Sequence, residues 1–75
     1  MRIASSTNQP VVENINRLIR EKGLKQLYVA KKAGITEQAF SEMLNHRRII
    51  RMCDVVGIAQ ALEVQPNDLF MEVEE

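Results

Sequence analysis

The stretch from Gln26 to Leu44 is the part of this sequence that most constrains the fold. It contains two short amphipathic segments separated by Gly34. In the first segment, Val29, Ala30 and Ala33 recur at helical spacing and form a small apolar face, which allows a second helix to cross at close range. Gly34 adopts a positive φ without steric cost, which favours a sharp turn. These features predict two helices joined by a tight corner.

The segment after this glycine has its own helix signals. Thr36 is suited to begin a helix, because its hydroxyl can accept an otherwise unpaired N–H of the first turn. Phe40, Met43 and Leu44 then recur at spacings of three and four residues, which places them on one side. We therefore expect a helix from Glu37 to about Asn45. The side chains expected to face solvent are Glu37, Gln38, Ser41, Glu42 and Asn45.

Proline and glycine positions predict three further helices around this pair. Pro10 is suited to the first turn of a helix that runs to about Lys22 and ends at Gly23. A fourth helix is expected from Met52 to Leu62, and Pro66 can open a short fifth helix. The sequence therefore predicts an all-α domain. The residues expected to point inward on these three helices are Val11 or Val12, Ile15, Leu18, Ile19, Met52, Val55, Val56, Ala59, Leu62, Leu69 and Phe70.

Eight residues at fixed spacing resemble the helix-turn-helix of the phage-repressor and Cro class of DNA-binding proteins. They are Gln26, Ala30, Gly34, Ile35, Thr36, Phe40, Ser41 and Met43. The similarity covers roughly residues 11 to 70. The resemblance implies a compact five-helix bundle, a lambda-repressor-like DNA-binding domain at residues 10–70. It also implies sequence-specific binding to double-stranded DNA, with the third helix in the major groove.

The sequence departs from the family pattern at the end of the third helix. Leu44 stands where the family usually has Glu, and His46 stands where it usually has Gly. A left-handed residue commonly ends a helix, so we expect Asn45 or His46 to adopt that conformation at some strain. At least one of Ile49 and Ile50 is expected to be tucked under the fourth helix.

The resemblance also implies which side chains contact bases. The matching positions are occupied by Glu37, Gln38, Ser41 and Glu42. Gln38 is suited to a bidentate contact with adenine, and a glutamate can accept a hydrogen bond from the amino group of cytosine. If Glu37 and Glu42 meet no cytosine, each instead repels phosphate, so their role stays open.

Five residues are candidates for contacts with DNA phosphates. They are Gln26, Lys25, Asn45, Arg47 and Arg48. Gln26 begins the second helix, whose exposed N–H groups and dipole favour an anion. Arg47 and Arg48 follow the third helix, where basic side chains could meet the DNA backbone. The alternative for these two arginines is an ordinary solvated loop.

Charge is divided unevenly along the chain, although the formal net charge is zero. Residues 1–51 contain all ten basic residues and four acidic ones, a net charge of +6. Residues 52–75 contain the other six acidic residues and no basic one. A positive end of this kind can meet phosphates, unless folding mixes the two parts. We expect residues 1–9 to form a flexible arm and residues 71–75 an acidic tail.

Other classes of protein receive little support from the sequence. No apolar run approaches the roughly 20 residues of a membrane span, and no signal-peptide pattern is present, so we expect a cytoplasmic protein. His46 and Cys53 cannot complete a tetrahedral metal site. No Gly-rich phosphate loop and no nucleophile–base arrangement is present. We therefore expect no cofactor, no metal and no enzymatic activity.

The prediction is a DNA-binding transcriptional regulator, most simply a repressor, that binds a two-fold operator as a homodimer. One rival is a protein-interaction module with the same fold and little or no DNA binding. Another is an antitoxin-like protein, whose partner would be a toxin; an anti-repressor is a further candidate partner. The protein-interaction module is motivated by the zero net charge and by the residues Glu37, Glu42, Ile19, Leu27, Ile49 and Ile50. The antitoxin-like protein is motivated by the acidic tail, which could engage a basic toxin.

Overall fold

Five α-helices make up the part of the chain that the computed structural model describes, residues 9–71. They are α1 (Gln9–Lys22), α2 (Gln26–Ala33), α3 (Glu37–Leu44), α4 (Met52–Leu62) and α5 (Pro66–Phe70). No strand occurs within this range. The predicted all-α, five-helix architecture is confirmed. No helix within residues 9–71 has the length and apolar character needed to span a membrane.

The predicted arm and tail lie almost entirely outside the described residues. Of residues 1–9, only Gln9 is described, and it is the first residue of α1 rather than part of an arm. Of residues 71–75, only Met71 is described, and it directly follows α5. The arm and the acidic tail therefore stay predictions.

The core is aliphatic around one aromatic side chain, that of Phe40, which has no exposed surface. The buried apolar residues come from all five helices and from the connector before α4. They are Val11, Val12, Ile15, Val29, Ala30, Phe40, Met43, Ile50, Val55, Ile58, Ala59, Ala61, Leu62 and Leu69. Leu18, Ile19, Leu24, Ile35 and Leu44 pack against them and are half-buried.

The predicted inner face of α4 was partly wrong. Met52 and Val56 are exposed by 63% and 39%, whereas Ile58 and Ala61 are buried. Nearly every residue of α4 is apolar, so spacing alone could not select the face that packs against α2 and α5. The prediction for α5 was wrong in the same way, because Leu69 is buried but Phe70 is exposed.

Helices α2 and α4 cross at close range, as the small face of α2 predicts. A Cβ atom placed on Gly57 of α4 would lie 2.9 Å from the carbonyl oxygen of Ala33. Real Cβ atoms do not approach a backbone oxygen so closely, so the crossing requires glycine at this position. Val29 and Ala30, on the same face of α2, have no exposed surface.

A buried asparagine joins the first helix to the last. The Asn14 side chain is fully buried, and its Nδ2 donates to the carbonyls of Leu69 at 2.8 Å and Met71 at 2.6 Å. Arg17 donates to the Asn14 Oδ1 atom at 3.1 Å. The carbonyls at the end of a helix lack partners within the helix, so Asn14 satisfies groups that would otherwise be buried unpaired.

Two acidic residues of the negatively charged segment stabilise helix starts. The Asp54 carboxylate accepts the backbone N–H of Arg51 at 3.0 Å, ahead of α4. The Asp68 carboxylate accepts that of Gln65 at 3.0 Å, ahead of α5. Carboxylates in the first turn also interact favourably with the helix dipole. Part of the acidic character of this segment is therefore used inside the fold.

Replacing Gly57 with Ala tests the crossing of α2 and α4. We expect the free energy of unfolding to fall by about 1–2 kcal/mol, because overpacking against backbone outweighs the roughly 1 kcal/mol by which Ala favours a helix over Gly. Urea denaturation measures the change. Gln60→Ala, at an exposed position of the same helix, is the control and is expected to stay within about 0.5 kcal/mol. Unchanged or increased stability of Gly57→Ala would contradict the close crossing.

Candidate nucleic-acid interface

Gly34 forms the corner between α2 and α3. Its φ of 77° lies in the left-handed region, and its N–H points to the carbonyls of Ala30 and Lys31 at the end of α2. The N–H of Ile35 donates to the Ala30 carbonyl at 2.9 Å, and the Ile35 side chain packs against the core. The corner therefore pairs the last carbonyls of α2 while it turns the chain, as the sequence predicted.

Helix α3 is held by its inner side and by its first turn. The Thr36 hydroxyl accepts the N–H of Ala39 at 3.0 Å, which is the predicted N-terminal cap. Phe40 and Met43 are buried against α2 and α1, and Leu44 is half-buried. The opposite edge of α3 is exposed in its first turn and partly covered further along the helix.

The four candidate base-contacting residues occupy this outer edge. Glu37 and Gln38, in the first turn, are exposed, whereas Ser41 and Glu42 are half-buried. Glu42 has an ionic partner that the sequence analysis did not predict. Arg48 contacts the Glu42 Oε1 atom through Nη2 at 2.9 Å and through Nε at 3.0 Å. The outer edge of α3 therefore carries one exposed carboxylate, that of Glu37, and one that is paired with an arginine, that of Glu42.

The end of α3 is built from a left-handed histidine. His46 has a φ of 63°, whereas Asn45 has a φ of −100°. Of the two residues predicted to be left-handed, His46 is therefore the one that is. The N–H of His46 donates to the Met43 carbonyl at 3.2 Å, and that of Arg47 to the Glu42 carbonyl at 2.8 Å. This pair of bonds is the Schellman pattern, and it fixes the direction in which the chain leaves the helix.

Asn45 uses its side chain on its own helix. The Nδ2 atom donates to the Ser41 carbonyl at 2.8 Å and lies 3.4 Å from the Ser41 hydroxyl oxygen. Asn45 stays exposed, so it remains accessible to a ligand. Any phosphate contact it makes would share an amide group already bonded to the helix end.

The remaining phosphate candidates lie at both ends of the two-helix unit. Lys25 is exposed and directly precedes α2, and Gln26 is the half-buried first residue of that helix. Arg47 and Arg48 are exposed and follow α3. Within residues 9–71 Arg47 forms no ion pair, whereas Arg48 is held by Glu42. The two neighbouring arginines therefore differ in how freely they could meet an anion.

Comparison with known proteins identifies the family. A family model described as the Cro/C1-type HTH DNA-binding domain matches residues 14–74. The chain belongs to this family. It is also similar to a solved structure, the high-resolution crystal structure of the restriction-modification controller protein C.AhdI from Aeromonas hydrophila, with a TM-score of 0.79. The two chains are 22% identical, and the match covers 87% of this chain and 98% of that one.

Membership of the Cro/C1-type family confirms the resemblance seen in the sequence, and it supports a DNA-binding transcription regulator. The likeness to the controller protein shows a shared fold and no more, because the sequence identity of the two chains is low. No curated protein sequence matches this chain.

Replacing His46 with Gly tests the strained end of α3. We expect stability to rise by up to about 1 kcal/mol, because a left-handed non-glycine residue costs about 1–2 kcal/mol and the greater freedom of unfolded glycine offsets only part of this relief. Thermal and urea melts measure the change. Asn45→Gly is the matched control, and it should destabilise the domain because φ there is negative. A less stable His46→Gly variant would contradict the strain argument.

Proposed function

We propose that this chain is a sequence-specific transcriptional regulator, a repressor that binds a two-fold operator as a homodimer with α3 in the major groove. The observation that carries the proposal is the exposed outer edge of α3 in a domain of the Cro/C1-type family. A helix fits the major groove, where its outward side chains reach base edges. The inner side of α3, through Phe40 and Met43, keeps the helix rigid on the core.

Gln38 is the leading candidate for base recognition. It is exposed in the first turn of α3, and an amide that donates and accepts together matches the edge of adenine. Glu37 precedes it and can accept from an amino group of a base. Ser41 lies one turn further along the helix, where its hydroxyl can donate or accept.

Phosphate contacts would position the domain on the duplex. Arg47 and Arg48 would bind the backbone beside the end of α3, and Asn45 would add an amide contact. Lys25 and Gln26 would bind it at the start of α2, where unpaired N–H groups favour an anion. About four to six such contacts per protomer would make the logarithm of affinity fall with that of salt, by roughly 0.9 for each contact.

The dimer is supported by an exposed apolar patch, which we call the α4 patch and define as Ile49, Met52 and Val56. Ile49 is 75% exposed, and Met52 and Val56 lie one turn apart on the outer side of α4. The patch follows α3 closely in the chain. A dimer that binds a two-fold operator would have to place its two α3 helices about 34 Å apart, one turn of DNA. One module alone offers little contact area, so two copies are needed for useful affinity.

The protein-interaction alternative loses part of its basis in the fold. Of the four apolar residues that motivated it, Ile50 is buried and Ile19 is half-buried in the core. Leu27 and Ile49 stay exposed. The antitoxin-like alternative rests on the acidic tail, which lies almost entirely outside the described residues. The regulator is therefore the better supported function.

Titration into mixed-sequence DNA at low and then moderate salt tests the proposal. Binding at low salt that weakens as salt rises is expected, followed by enrichment of a two-fold sequence when bound DNA is selected from a random pool. Absence of binding at low salt would overturn the regulator and favour the protein-interaction module.

Gln38→Ala tests base recognition against phosphate positioning. We expect it to relax discrimination at one base pair by about 1–3 kcal/mol, whereas Arg47→Ala should weaken binding to all sequences alike and lower the salt slope by about 1. Competition binding with single-base operator variants measures both. Equal effects of the two changes on every sequence would show that Gln38 does not contact a base.

The double substitution Ile49→Ala and Met52→Ala tests the α4 patch. Truncating apolar side chains at the centre of an interface should raise the dimer dissociation constant by about tenfold or more. Sedimentation analysis measures this constant. Leu27→Ala removes an equally apolar exposed side chain from α2 and should leave it unchanged. A larger effect of Leu27→Ala would place the dimer contact elsewhere.

A further inference from the structure

The ion pair between Glu42 and Arg48 joins a candidate base contact to a candidate phosphate contact. Arg48 contacts a single carboxylate oxygen, Oε1, through Nη2 at 2.9 Å and through Nε at 3.0 Å. Among residues 9–71 the other oxygen, Oε2, has no hydrogen-bond partner. Both side chains remain partly exposed, by 34% for Glu42 and 50% for Arg48. A ligand can therefore approach either member of the pair.

The backbone at the end of α3 holds the two residues close together. The N–H of Arg47 donates to the carbonyl of Glu42 at 2.8 Å, and His46 turns the chain back through its left-handed conformation. The backbone of Arg48 therefore lies beside the last turn of α3, which contains Glu42. The pair therefore forms with little loss of chain entropy, unlike an exposed pair between distant segments.

We propose that Glu42 makes Arg48 selective, by holding it in the absence of DNA and releasing it to a phosphate only at the right sequence. The sequence requirement is that the base facing Glu42 in the major groove be a cytosine or an adenine, whose amino group donates to the carboxylate, and not a guanine or a thymine, which present oxygen acceptors there. This inference rests on the proposed function and adds a specificity-determining residue to it.

The physical argument compares two kinds of DNA. On any duplex, a phosphate attracts the Arg48 guanidinium away from Glu42, which leaves a bare carboxylate close to a polyanion. That repulsion opposes the exchange at sequences where a guanine or a thymine, with its carbonyl oxygen, faces the carboxylate. An amino group in the groove donates to the carboxylate instead, so both charges then have partners. The pair therefore penalises non-specific complexes more than the specific one.

The size of the effect follows from the exposure of the pair. Exposed ion pairs change an equilibrium by about two- to fivefold, which sets the expected gain in non-specific affinity when the pair is broken. Loss of a base contact by the carboxylate lowers specific affinity as well. The ratio of specific to non-specific affinity should therefore fall by about tenfold or more.

Glu42→Gln and Glu37→Gln form a matched comparison. Both remove one negative charge from α3, but only Glu42 is paired with Arg48. Binding to mixed-sequence DNA and to the selected operator is measured over a range of salt. Glu42→Gln is expected to bind mixed-sequence DNA about two- to fivefold more tightly than Glu37→Gln does, with a salt slope steeper by about 0.9. Glu42→Ala, which removes the acceptor altogether, should behave in the same way.

Arg48→Ala completes the test. In the unmodified protein this change should weaken binding to the selected operator, where Arg48 contacts a phosphate, and in the Glu42→Gln background it should abolish the gain on mixed-sequence DNA. Equal behaviour of Glu42→Gln and Glu37→Gln on both DNAs would overturn the inference and leave the proposed function standing. Absence of DNA binding by the unmodified protein would overturn both.

Discussion

The close crossing of α2 and α4 is the contact on which the rest of the domain depends. A backbone oxygen of Ala33 lies against Gly57, with no room between them for a side-chain carbon. Helix α2, held in this way on α4, is also the main support of α3, whose buried Phe40 and Met43 face α2 and α1. The position of the outer edge of α3 therefore depends on how α2 is held.

The candidate interface is shaped by how α3 begins and ends. Thr36 pairs an N–H of the first turn, and His46 ends the helix in a strained conformation. The strain has a geometric result, since it turns the chain so that Arg47 and Arg48 lie beside the last turn. One of these arginines meets Glu42 and the other does not. Two adjacent residues of the same charge therefore differ in availability because of one backbone conformation.

The sequence predicted the helices better than it predicted their surroundings. Signals such as Thr36 and Pro66 act within a few residues, so the starts of α3 and α5 could be read directly. The buried face of α4 could not, because its pattern is apolar on both sides, and Val56 was assigned to the core although it is exposed. The partners of Glu42 and of Asn14 depend on chain reversal and on distant helices, so no local spacing indicated them. The proposed roles in DNA contact depend on a ligand and are still to be tested.

The Asn14 junction has a consequence for how the protein comes into being. Its amide bonds to Leu69 and Met71 span 55 and 57 residues, so the first helix cannot complete its polar contacts until residue 71 has been synthesised. Without α5 and Met71 the Asn14 amide loses both of its carbonyl acceptors, and the side of α1 that α5 covers is left open to water. A nascent chain that ends before residue 71 therefore lacks the contacts that complete the fold. Proteolytic removal of α5 and Met71 would take the same contacts from a folded molecule.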